Sequence, residues 1–241
     1  MNFENQPVAS APAAADYSVP WKFIDNWIGV ALLAIIDVVI FVIMLGQEQR
    51  AEIAQSAAVL LLELAYLLPV VIIFAWRRIH WKHLRFGTFE WKTLGIGCGL
   101  LIGSYVVIIL HNALLYLLGV DTQGENIVKL FGELDSPVWF FIVGAVFAPL
   151  VEEIFFRGFL FQGFRARYGW VPAMLVSAAI FAAAHLDLVV LIPTFILGCL
   201  LAYMFHRSNS LWPGIILHFL VNSFGLLGAY FASNYQNLFP T

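Results

Sequence analysis

Seven apolar runs take up most of the chain between residues 27 and 231, and their length decides what kind of fold is open to it. They cover about 27–45, 56–76, 93–118, 137–164, 171–187, 188–205 and 211–231. A helix rising 1.5 Å per residue needs about 20 apolar residues to cross a hydrocarbon core, and each run meets or nearly meets that length. Only 11% of the 241 residues are charged and the mean hydropathy is +0.89, against roughly a quarter charged in a soluble domain. The sequence therefore predicts an all-α, polytopic integral membrane helix bundle of about seven transmembrane helices. Gly95, Gly97, Gly99 and Gly103 loosen the long third run, and a break there would make the count eight.

Basic residues orient the bundle. Arg77, Arg78, Lys82 and Arg85 fall in WRRIHWKHLR, Arg165 and Arg167 in FRARYGW, and Arg207 in HRSNS. With seven spans these three connections share one side, cytoplasmic by the positive-inside rule. The acidic stretch GVDTQGENIVKLFGELDSP takes the other side. The expected location is the cell membrane, multi-pass, with a cytoplasmic N terminus. Residues 1–20, rich in Ala, Pro and Ser and lacking a signal-peptide pattern, are expected to form a disordered cytoplasmic tail. Residues 21–235 are expected to form a single membrane-embedded domain surrounded by membrane lipids. A net charge of −3 gives no reason to expect a nucleic-acid partner. Cys98 and Cys199 lie inside apolar runs and read as buried apolar side chains rather than a disulfide. The runs differ in length and polarity, which argues against a repeated transporter architecture.

Polar residues concentrate in the last four runs. VEEIFFRGFL carries Glu152, Glu153 and Arg157; the fifth run ends near His185; the seventh holds His218 and Asn222. Measured from the basic connections, Glu152 lies about 20 Å deep, His185 about 21 Å, and His218 and Asn222 about 12 and 18 Å. The pairs Glu153/Arg157, Phe181/His185 and His218/Asn222 are each spaced i,i+4 and share a helix face. Ionised groups in hydrocarbon cost roughly 3 kcal/mol or more on insertion scales, so they should turn inward and meet partners. A carboxylate beside imidazoles can activate water as a general base. An amide and a neutral histidine can donate to an oxyanion. The same donors can bind zinc, relay protons in a transporter, or hold helices together in a non-enzymatic scaffold or immunity protein. Spacing alone does not choose among these.

Three motifs in order, Glu152-Glu153-x-x-x-Arg157, Phe181-x-x-x-His185 and His218-x-x-x-Asn222, together with the extension EEIFFRGFLFQGF, resemble the CPBP family. These are the CAAX-protease and bacteriocin-processing intramembrane proteases, also called the Abi family. The resemblance covers residues of about 137–231, the expected catalytic core. It implies a membrane protease acting on a peptide or membrane-anchored protein substrate, with a site opening toward the cytoplasmic side. By resemblance Glu152 activates water, His185 holds or polarises it, and His218 with Asn222 form the oxyanion side, while Glu153 and Arg157 support them. The resemblance admits two cofactor states. One is zinc held by Glu152, His185 and His218, with Glu153 a further ligand candidate; the other is no metal at all.

Several lesser signals go with this reading. Pro149 should kink the fourth helix and free carbonyls near the site. Asp187 should either orient His185 or cap the next span. His111 and Asn112 form a helix-packing pair, with an accessory role at the site as the alternative. His80 and His83, among Trp76, Trp81 and Trp91, belong to an interfacial anchor.

Overall fold

The computed structural model describes residues 17–45, 60–61, 63–120, 124–125, 127–128, 131 and 137–238. Among these residues the regular backbone is helical, with no strand. Seven helices carry it: α1 (Phe23–Leu45), α2 (Leu68–Arg77), α3 (Trp91–Leu117), α4 (Val138–Tyr168), α5 (Trp170–Ala183), α6 (Leu191–Ser208) and α7 (Trp212–Leu238). By length and composition α3, α4, α6 and α7 can each cross a membrane. The glycines of α3 do not interrupt it: the helix runs unbroken for 27 residues.

Two runs depart from simple spans. In the second, helical residues around Glu63 end at a turn at Tyr66–Leu67, and α2 restarts with a proline in its first turn, where the missing N–H costs nothing. In the fifth, α5 has 14 residues, about 21 Å, short of the roughly 30 Å of a hydrocarbon core. The chain then turns back before completing a span, with Leu186 and Leu188 exposed. Leu186 takes a left-handed φ of 52°, and the Asp187 carboxylate accepts from the Val189 N–H at 2.8 Å. Asp187 therefore closes the turn into α6. Non-helical backbone at this depth is tolerated where it is enclosed by protein or lines a cavity, and this turn carries His185.

The three basic connections meet at one end. The Leu211 N–H donates to the Arg85 carbonyl at 3.0 Å, and the Ser210 hydroxyl donates to the Gly87 carbonyl at 2.6 Å. Arg85 donates to the Gln162 side chain at 3.0 Å, and Gln162 donates to the His83 carbonyl at 2.9 Å. Two further loop charges are not free. Arg77 makes a two-pronged pair with the fully buried Asp25, at 2.7 and 3.1 Å, which ties α1 to α2. Arg165 is only 2% exposed; it donates to Asn209 and lies 4.3 Å from the Tyr17 ring. The tail expected over residues 1–20 lies outside the described residues up to residue 16. Residues 17–20 are placed, with Tyr17 against Arg165. Cys98 and Cys199 are free thiols.

Toward this end α4 is solid. Phe155, Phe156, Phe159, Leu160, Phe161 and Phe164 are all fully or almost fully buried. Close packing of α5 on α6 depends on Gly198, where a Cβ would come within 2.9 Å of the Ala178 methyl.

Candidate active site

The site is built on an irregular stretch of α4. Two π-helical segments, Ile142–Phe147 and Ile154–Phe161, bracket a single α-turn, Ala148–Glu153. Such segments recur at functional sites because they leave backbone groups free. The sequence supplies the cause. In the first segment each N–H reaches back five residues, and the Ala148 N–H bonds the Val143 carbonyl. The next residue, Pro149, has no N–H, so the Gly144 carbonyl is left for another donor. The Asn222 amide of α7 takes it, donating at 2.8 Å. Pro149 thus frees a carbonyl next to the site, as expected, and that carbonyl fixes the amide expected to face an oxyanion.

His218 on α7 stands between the two glutamates. Its Nε2 is 3.6 Å from Glu152 Oε2 and its Nδ1 is 3.4 Å from Glu153 Oε1. These distances are electrostatic contacts rather than hydrogen bonds. Glu153 is fully buried and takes Arg157 Nη1 at 2.5 Å; the other Arg157 nitrogen donates to the Gly198 carbonyl at 3.1 Å. A buried carboxylate is tolerable only when paired in this way. Space for it exists because residue 214 is glycine: a Cβ there would lie 2.6 Å from Glu153 Oε2. Arg157 prevents the carboxylate from swinging aside. Gly214→Ala is therefore expected to cost about 1–3 kcal/mol, as overpacking does. Thermal unfolding in detergent should show a lowered midpoint.

Phe181 on α5 is the hub that orients three of these groups. Its ring meets those of His185 at 4.9 Å and His218 at 5.9 Å, both edge-on, and the Arg157 guanidinium sits 4.5 Å from its centre. His185 Nδ1 lies 2.8 Å from the Phe181 carbonyl. A carbonyl can only accept, so Nδ1 carries the hydrogen and a neutral ring keeps its lone pair on Nε2.

Glu152, His185, His218 and Asn222 all line one cavity of about 420 Å³, whose other walls are mostly apolar. The structure thus brings four of the six expected site residues to one space and puts Glu153 and Arg157 directly behind it. His111 pairs with Asn112 at 3.3 Å and is not among the cavity's lining residues. His80 accepts from the Lys82 N–H and caps a short turn at the basic end.

On α4 the cavity is lined by Phe140, Gly144, Ala148 and Glu152, and on α7 by residues from His218 onward. It therefore occupies the half of the bundle away from the basic connections, while the phenylalanines of α4 fill the basic half. Reading from sequence missed three polar residues in the first two runs. Glu63 lines the same cavity. The Tyr66 hydroxyl donates to Asp37 at 2.6 Å, and Asp37 lies within electrostatic range of His185. The signal was available, since an acid inside an apolar run marks function by default.

The donor set does not form a metal cage. Among the described residues no three His, Cys, Asp or Glu side chains are placed to hold one ion. Glu152 and His218 face each other directly, and His185 has only Nε2 to offer.

Fold and site define a polytopic helical membrane protein with a carboxylate–imidazole centre inside the bundle. Residues 134–224 match the family model for type II CAAX prenyl endopeptidases, Rce1-like. Three bacterial proteins are similar. The Bacillus subtilis "Putative membrane peptidase YdiL" is 28% identical over 45% of each chain. An "Uncharacterized 24.3 kDa protein" of Escherichia coli is 30% identical over 55% of this chain and 64% of its own length. The "UPF0177 protein YxdF" of Lactococcus lactis is 28% identical over 43% of this chain and 57% of its own. The similarity thus spans about half to two thirds of these relatives. No solved structure matches the chain.

Proposed function

We propose that the protein is a membrane endopeptidase that hydrolyses peptide bonds of membrane-associated peptides or proteins, with Glu152 activating the water. The observation that carries this reading is the meeting of Glu152, His185, His218 and Asn222, from α4, the α5–α6 turn and α7, on one cavity. Water lies between the Glu152 carboxylate and the Nε2 lone pair of His185. Glu152 takes a proton as the water oxygen bonds to the substrate carbonyl carbon. Charge on the carbonyl oxygen is met by His218 Nε2–H and by the second hydrogen of the Asn222 amide, whose first is held by Gly144. Glu152 then passes its proton to the leaving nitrogen as the C–N bond breaks. Arg157 and Glu153 act through His218, holding its ring in place.

Read by the positive-inside rule, a cytoplasmic basic end goes with a cytoplasmic N terminus. Substrate then reaches the cavity from the other half of the bilayer or sideways from the lipid.

The test is cleavage of candidate membrane peptides by protein purified in detergent, with products identified by mass. Wild type should cut and incorporate ¹⁸O from labelled water into the new carboxyl group. His185→Ala and Glu152→Gln should not cut above background. Cleavage unchanged in both variants would remove the assignment. Because the donors do not form a cage, exhaustive chelator treatment is expected to leave at least half the activity. Loss restored by added zinc would show the cage forms in the working enzyme.

A further inference from the structure

Glu63 lies outside the stretch that matches the family model, yet it faces the same cavity as Glu152. Its Oε2 is buried with no hydrogen-bond partner among the described residues. Three hydroxyl groups nearby are already committed. Tyr66 donates to Asp37 at 2.6 Å, Ser104 to the Leu101 carbonyl at 2.7 Å, and Thr194 to the Val190 carbonyl at 2.6 Å. Neither lysine nor arginine is among the cavity's lining residues. The buried guanidinium of Arg157 is held by Glu153 and the Gly198 carbonyl. Glu63 lies within electrostatic range of both Glu152 and Asp37. The N-terminal helices thus add a second carboxyl group to one wall of a cavity whose other walls are mostly apolar, and among the described residues no lysine or arginine lines it. In such surroundings electrostatic attraction is far stronger than in water.

We infer that Glu63 is a specificity residue that receives a cationic group of the substrate, a lysine or arginine side chain or a free amine, next to the bond being cut. The inference rests on the cavity being the peptide site proposed above. It names a substrate class: segments that carry positive charge beside an apolar stretch, in preference to neutral ones. A bound ammonium or guanidinium group would supply the hydrogen bonds that Oε2 lacks.

Two peptides identical except for lysine or norleucine beside the cleaved bond test this. Wild type should favour the lysine peptide at least 10-fold in kcat/KM. Glu63→Gln, nearly isosteric, should bring that ratio close to one, with the loss falling mainly on KM for the lysine peptide. Binding is measured in parallel in the Glu152→Gln background, where no cleavage is needed. There, adding Glu63→Gln should weaken the lysine peptide about 10-fold and erase its advantage over norleucine. If Glu63 governs binding but no form of the protein cuts either peptide, the charge recognition stands and the hydrolytic reading falls. An unchanged lysine preference in Glu63→Gln overturns the inference. So does an equal fall in kcat for both peptides, which would make Glu63 a proton carrier or a structural group instead.

Discussion

Glu152→Gln should lower the rate of peptide cleavage by about 10²–10⁴-fold, the range that positioned general bases contribute. The substitution keeps the shape of the side chain and removes only its basicity. Folding should tolerate it. Glu152 Oε2 has no hydrogen-bond partner among the described residues, and the Nε2 of His218 stands 3.6 Å away. Removing a buried charge without a close hydrogen bond relieves a desolvation cost. The unfolding midpoint in detergent should therefore stay level or rise while single-turnover cleavage collapses. A fall in both together would mean that Glu152 is structural and that the base is elsewhere. Glu153→Gln should behave differently. Its carboxylate is tied to Arg157, so activity and stability should fall together.

Arg157→Met is expected to destabilise the folded protein by about 3–5 kcal/mol, the cost of leaving a buried carboxylate unpaired. Glu153 is fully buried, Arg157 is its close partner, and the remaining neighbour of opposite potential, His218, lies at 3.4 Å. The same change removes a donor from the Gly198 carbonyl and a cation 4.5 Å from the Phe181 ring. Arg157→Lys should recover little, because one ammonium cannot reach Glu153 and Gly198 with the fixed fork of a guanidinium. Unfolding by denaturant titration in mixed micelles reads the effect. The double substitution Glu153→Gln with Arg157→Met should regain much of the stability and none of the activity, since the ring of His218 is then unheld. Full stability in Arg157→Met alone would show that Glu153 is not ionised in the folded protein.

Much of the centre was legible in the chain. Glu152, His185, His218 and Asn222 stand in apolar runs at matching depth, and hydrocarbon forces such groups inward. Pro149 was readable because a missing N–H frees a carbonyl wherever the helix runs. Other features were not. A reversal between the fifth and sixth runs was expected near residue 187, but not that α5 stops at Ala183, since Leu186, Leu188, Val189 and Val190 are as apolar as a helix interior; hydropathy does not record where a helix ends. Arg165 looked like a loop charge and is buried, because Tyr17 and Asn209 come to it from distant parts of the chain. Asp37 and Glu63 were visible as acids in apolar runs, but nothing along the chain joined them to the motifs of the last four runs.

The sequence by itself determined that this is a helical membrane protein and which polar residues in its last four runs must turn inward, because length and hydrophobicity act locally along the chain. Tertiary structure alone decided that the N-terminal helices lend Glu63 to the cavity and that the cavity occupies the half away from the basic end. It also decided that Glu153 reaches His218 only past a glycine on α7. Each of these depends on how helices distant in sequence pack side by side, and hydropathy carries no record of that.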